Sequence, residues 1–146
     1  MIIRELKSSE SRAALELIWS VFNEFDAPLY SKEGVETFYK SIRDTNFLGR
    51  LNFLGAFDEK NNIIGIIATR NNSSHISLFF VDSKFHKRGI GKKLFYEACK
   101  NNKSGKITVH SSPYAVGFYH NLGFKDLDTE KVHNGIIYTP MICNLK

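Results

Sequence analysis

The chain has 146 residues, 42% of them hydrophobic and 24% charged, with a formal net charge of +5. That length predicts one domain over residues 1–146, which buries roughly two-thirds of the surface its unfolded chain exposes and needs no disulfide staple. No apolar run approaches a membrane span, and Met1-Ile2-Ile3 is followed at once by Arg4 and Glu5, so a cytoplasmic protein with no signal peptide and no membrane contact is expected.

Residues 1–5 are short enough for a first strand, and Ser8 and Ser9 offer an N-cap to a helix after it. From position 11 to 25 the apolar residues Ala14, Leu17, Ile18, Val21, Phe22 and Phe25 recur every three or four positions, the stripe of a helix lying on a sheet. Asp26-Ala27-Pro28 ends that helix, and Ser31 caps a second one in which Val35, Phe38, Tyr39 and Ile42 share a face. Residues 50–58 and the β-branched run 63–70 flank the polar turn 59–62 and read as an antiparallel hairpin. The strand 75–81 is apolar on both faces apart from Ser77, as expected of a strand covered on both sides. Leu94, Phe95 and Ala98 then keep helical spacing, and residues 106–110 return to the sheet. Pro113 suits the first turn of a helix that Gly123 stops; the last strand, 136–143, contains Pro140, which predicts an edge position or a bulge. Cys99 and Cys143 fall in a helix and a strand, the setting of reduced, buried thiols.

The turn between strand 75–81 and the helix after it is where chemistry is expected. Gly89 and Gly91 bring backbone close to a ligand, the first-turn amides of a helix have no partner inside it, and Lys87, Arg88, Lys92 and Lys93 add positive charge. This is the composition of a pyrophosphate cradle. A P-loop fails on spacing, because His86 stands where its first glycine should be and Lys93 where its hydroxyl should be. A dinucleotide fingerprint fails too: Leu94 replaces its third glycine, and Thr108 to His110 lie where its acidic residue should be.

The run His86-Lys87-Arg88-Gly89-Ile90-Gly91 resembles the acetyl-CoA-binding motif of the GNAT superfamily of N-acetyltransferases, Gln/Arg-x-x-Gly-x-Gly/Ala after a strand, except at its first position. A second family signature, Ala-x-x-Phe-Tyr-x-x-x-Gly-Phe, is matched by Ala115, Phe118, Tyr119, Gly123 and Phe124. Together the two cover roughly residues 75–126. The resemblance implies an α+β, three-layer fold with a mixed, mostly antiparallel sheet of about six or seven strands flanked by about four helices. It also implies transfer of acetyl from acetyl-CoA to a primary amine by direct attack in a ternary complex, with no metal.

By the same resemblance, the backbone of Phe79, Phe80 and Val81 pairs with the pantetheine arm, and the pyrophosphate sits on the amides from Lys87 to Lys92, including Arg88, Gly89, Ile90 and Gly91. His86 is expected to touch the pyrophosphate, and Ser112 replaces the Asn that relatives place seven residues before the tyrosine. Tyr119 is expected as general acid, since a phenol with a pKa of about 10 keeps its proton at neutral pH and can pass it to a departing thiolate. No acidic residue lies between His75 and Val81 or between Ile107 and Ser112, so His110 is expected as base through water, or as a ligand contact, against the plainer reading of a satisfied structural histidine. Phe22, Asp26 and Tyr30, on the acceptor side, are expected substrate contacts, although Phe22 also fits the core by spacing and Asp26 and Tyr30 fit a turn. The amine itself is not legible, because one fold hosts many specificities. The alternatives are a catalytically degenerate CoA-binding sensor or scaffold and a nucleic-acid module on the basic segment 84–106. The second would need aromatics positioned for stacking, yet Phe85 and Phe95 read as buried, so no nucleic-acid partner is expected. A homodimer through the last strand is compatible with the family.

Overall fold

The computed structural model describes residues 1–145. The strands are β1 (Ile2–Glu5), β2 (Asn52–Phe57), β3 (Ile63–Arg70), β4 (His75–Val81), β5 (Lys106–Ser111), β6 (Lys125–Asp126), β7 (Lys131–His133) and β8 (Ile136–Asn144). The helices are α1 (Ser11–Val21), α2 (Lys32–Ser41), α3 (Thr45–Gly49), α4 (Ile90–Cys99) and α5 (Val116–Leu122). The expectation of an α+β fold holds, with one more helix and one more strand than the upper expectation: α3 is short and held at its start by the Asp44 carboxylate, which accepts from the amides of Asn46 and Phe47.

The sheet runs β1-β2-β3-β4-β5-β8-β6, with β7 paired to β8. Every pairing is antiparallel except β4 with β5. Helices α4 and α5 cover one face, where Leu94, Phe95 and Tyr119 pack with Ile67, Ile107, Val109 and Met141. On the other face the α1 stripe of Ala14, Leu17, Ile18 and Val21 packs on Ile66, Ala68 and Leu78. Burying such side chains stabilises by about 1.5–3 kcal/mol each before conformational entropy is subtracted.

Two local features shape the sheet. In β4, Ile76 pairs with Thr69 and Leu78 with Ala68, which leaves Ser77 without a partner: a β-bulge. The extra residue reverses the alternation, so Ile76 joins the α4 face and Leu78, two positions on, joins the α1 face. The parallel pairing to β5 reaches only His75 with Thr108 and Ile76 with Val109, and stops where the bulge begins. Beyond that point β4 and β5 part, and the sheet opens.

The second feature corrects the expectation for Pro140. Along this stretch β8 is not bulged; it pairs with β5, Pro140 opposite His110, while β6 covers only Met141 and Ile142 on its other flank. Pro140 turns its carbonyl to the Leu127 amide at 2.8 Å, so its nitrogen faces the same side, just past the end of β6 where no ladder donor is needed.

Candidate active site

The opening between β4 and β5 has a backbone wall. Asp82 N–H donates to the Ile64 carbonyl at 2.9 Å, and antiparallel alternation in phase with that bond turns Phe80 toward β3 and the polar backbone of Phe79 and Val81 toward the opening. Of the three residues expected to pair with a ligand, Phe79 and Val81 therefore face it, and Phe80 spends its backbone on Ile66 and its ring on Phe38.

The wall leads to the start of α4. Asp82 accepts the Lys84 amide at 2.9 Å, and Lys87 and Gly89 are both left-handed (φ 65° and 79°). The first amide of this segment to bond back into the helix is that of Lys93, to the Gly89 carbonyl at 3.1 Å, so the amides of Ile90, Gly91 and Lys92 are left pointing out at the positive end of the helix. Arg88, Lys92 and Lys93 are exposed around them, and Ile90 anchors the turn with its side chain in the core. A Cβ on Gly91 would stand 3.0 Å from the ring of Phe118, so a larger residue there would press on α5. His86 departs from its expected place. Its ring Nε2 lies 2.7 Å from the Val81 carbonyl and its face lies on Phe25, so it holds the end of β4 and does not project into the cradle.

Tyr119 lies on the far side of the opening, on α5, 5% exposed and wedged among Phe79, Phe118 and Phe124. Burial, and then the nearby charge of Asp26, push its phenol well above the ordinary value, so it is fully protonated at neutral pH. Its hydroxyl makes no hydrogen bond among the described residues.

The α1–α2 connection reaches into the same opening. After α1, the chain forms a π-helical turn (Phe22–Asp26) and a 3-10 turn (Ala27–Leu29), and Asp26 is 7% exposed with Oδ1 buried and unpartnered. Desolvation pushes its carboxyl up to about 6, with the Ser112 hydroxyl opposing the shift without forming a well-aligned hydrogen bond. Tyr30 and Tyr114 also feel the Asp26 charge; burial is the larger cause in both, and it raises both phenols. Tyr30 donates to the Ile137 carbonyl at 3.2 Å, fastening the connection to β8. Phe22 is corrected from contact to packing: it is 1% exposed, stacked on Phe38 at 3.9 Å, with Tyr30 edge-on.

His110 belongs elsewhere. Val109 packs toward α4, so His110 projects from the opposite face, stacked on Tyr138 and edge-on to His75. Burial and the Arg70 charge hold it below the ordinary histidine value, and burial, then Arg70 and His110, hold His75 at about 4. Tyr119 and Asp26 are not among its ring partners, so the structure does not bring the expected base and the expected acid together.

Tyr114 and Phe25 were not among the expected site residues. Their rings stack at 4.6 Å across the opening, joining the α1–α2 connection to the turn before α5. Phe25 carried a core signal, and Tyr114 gave none beyond standing after a helix-starting proline. Asp26 did carry one: it extends the i, i+4 series Ala14, Ile18, Phe22 on the buried stripe, where an acidic residue is out of place.

The profile of the Acetyltransferase (GNAT) domain matches residues 26–145, and the chain belongs to that family. Among solved structures it is similar to a GCN5-related N-acetyltransferase from Rhodopseudomonas palustris (TM-score 0.82, 18% identity, 99% of this chain and 95% of that one). It is also similar to the PaiA N-acetyltransferase of Thermoplasma acidophilum in complex with coenzyme A (0.74, 23%, 98% of each). A third is the phosphinothricin acetyltransferase of Sinorhizobium meliloti in complex with AcCoA (0.68, 18%, 99% and 88%). These likenesses concern the fold. A search of curated proteins finds no significant match. No helix among the described residues is long and apolar enough to cross a membrane.

Proposed function

We propose that this family member is a cytoplasmic, acetyl-CoA-dependent N-acetyltransferase, moving acetyl to a primary amine by direct attack in a ternary complex. The observation that carries the reading is the opening itself, with the edge of Phe79 and Val81 on one side, unpaired with β5 and held only at the Val81 carbonyl by His86, the outward amides of α4 at its end and the buried Tyr119 phenol across from it. Two of the similar structures hold coenzyme A or AcCoA, which supports the ligand. The pantetheine pairs with Phe79 and Val81, and the pyrophosphate rests on the amides of Ile90, Gly91 and Lys92 with Lys87 and Arg88 around it. A backbone N–H at the β4 edge steadies the oxyanion, a term of about 3 kcal/mol per donor in acyl transfer. Tyr119 protonates the sulfur as the C–S bond breaks. Its raised pKa makes transfer to a free thiolate unfavourable, so proton transfer accompanies cleavage and does not come after it. Asp26 and Tyr30 meet the acceptor, and Ser112 lies at the junction of cofactor and acceptor.

Thermal unfolding with acetyl-CoA, CoA and ATP in parallel tests the ligand, since binding at 100 times Kd stabilises by about 2.7 kcal/mol. A shift with acetyl-CoA and CoA but not ATP, followed by CoA release with an amine panel, is the expected result. No shift with either CoA ligand overturns the reading, and a shift without turnover of any amine assigns a CoA-binding sensor instead.

A further inference from the structure

We propose that Asp26 is the proton acceptor of the transfer, receiving the ammonium of the incoming amine in a box formed by Tyr30, Tyr114, Tyr119 and Phe25 and taking one of its protons before the nitrogen attacks. This role rests on the acetyl-transfer reading and adds the base that reading lacks.

Asp26 is a carboxylate with no structural task. It is 7% exposed, its Oδ1 is buried without a partner, and no Lys, Arg or His among the described residues forms an ion pair with it. A buried, unpaired charge is costly, and a residue kept for folding would be paired or apolar. The remaining need is for a cation and a hydrogen-bond donor, and a primary ammonium is both. Aromatic side chains on the neighbouring segments suit the same guest, because aromatic faces attract cations and exclude water. The groups within electrostatic reach of Asp26 are Tyr30 from its own connection, Ser112 from the end of β5, and Tyr114 and Tyr119 from the turn before α5 and from α5; Glu24, in the same π-turn, is exposed. None of these is a cation, so the site lacks its counter-charge until an amine arrives. The geometry depends on the parting of β4 from β5: the connection after α1 comes from one face of the sheet, yet its Asp26 charge reaches Tyr119, which packs on the other. The base thus lies within electrostatic reach of the acid, at the gap that opens where the Ser77 bulge begins.

The protons balance. A primary ammonium loses two protons on becoming an amide. The first goes to Asp26 and frees the lone pair, which forms the N–C bond as the carbonyl pair moves to oxygen. On collapse the C–S pair leaves on sulfur and takes the Tyr119 proton. The second nitrogen proton restores the phenol, and Asp26 releases its proton to solvent with the product.

The test compares n-butylamine, an ammonium at pH 7, with methoxyamine, which is neutral there, in CoA release at saturating acetyl-CoA from pH 5 to 9 for wild type and Asp26→Asn. For wild type with n-butylamine, kcat/KM is expected to rise with pH through a limb near 6. Asp26→Asn is expected to lose that limb and about 100-fold or more in rate, while methoxyamine, which needs no deprotonation to attack, loses only a few-fold. An equal loss with both amines, or none with n-butylamine, overturns the role of Asp26 and leaves acetyl transfer standing. Failure of wild type to turn over these amines or any amine of the panel overturns both. The CoA-dependent melting shift, retained in Asp26→Asn, separates a chemical defect from a folding one.

Discussion

Two turns border the opening, and they work in opposite ways. The stretch from Asp82 to Gly91 acts through its backbone: left-handed Lys87 and Gly89 expose amides, and the charged side chains of Arg88 and Lys92 stay in water. The stretch from Phe22 to Tyr30 acts through side chains turned inward, with Phe22 and Asp26 buried and Phe25 and Tyr30 partly so. A backbone cradle suits a ligand part that is the same in every reaction, and a side-chain box suits a part that varies between enzymes. Conservative changes should therefore harm the two turns differently, binding in the first and rate in the second.

The largest expected effect is on the shared residue between them. Tyr119→Phe should lower kcat by about 100-fold or more while leaving the CoA-dependent melting shift intact. A lost shift would move Tyr119 from chemistry to binding and blur the comparison.

Next comes the stability of Asp26→Asn. Its carboxyl stands at about 6 in the folded chain against an ordinary 3.8, so between those values the folded state binds more protons and stability falls as pH rises. At about 1.4 kcal/mol per pH unit, the full penalty above pH 6 is about 3 kcal/mol. Asp26→Asn should therefore be more stable than wild type by about that much at pH 8, with the gain vanishing below pH 4. Urea unfolding at the two pH values measures it. A variant that is more stable and slower is the signature of a residue kept for function.

On the backbone side, Gly89→Val places a β-branched residue at φ 79°, a strain of about 1–2 kcal/mol, and should weaken acetyl-CoA binding in calorimetry with little change in kcat. The smallest effect is expected at His86. With its ring on the Val81 carbonyl, His86→Gln should cost about 1 kcal/mol in unfolding and leave acetyl-CoA affinity unchanged. An acetyl-CoA affinity that falls about tenfold or more in the variant, with its stability unchanged, would return His86 to the cradle.

Much of this was legible in the residues. The stripe from Ala14 to Phe25, the Ser31 cap, the hairpin ending at Arg70, the glycine entry to α4 and the stop at Gly123 each depend on neighbours a few positions away, where periodicity and left-handed glycines constrain the chain directly. Pro140 misled because its local rule concerns a missing donor, and whether that donor is missed depends on where β6 ends. His110 misled because a strand residue has two faces, and only the packing of Val109 shows which one it takes.

By itself, then, the sequence determined the order of the elements, the cradle at Gly89 and Gly91, and the presence of Tyr119 in a helix after the fifth strand, all of them short-range consequences of backbone freedom and apolar spacing. Only the tertiary structure decided that Ser77 is the bulge where β4 parts from β5, that Phe22 is packing, and that the Asp26 charge is felt by Tyr119, Tyr30 and Tyr114. Those groups come from three separated segments, and the burial that leaves the Asp26 carboxyl without a partner is set by packing, which no short stretch of chain encodes.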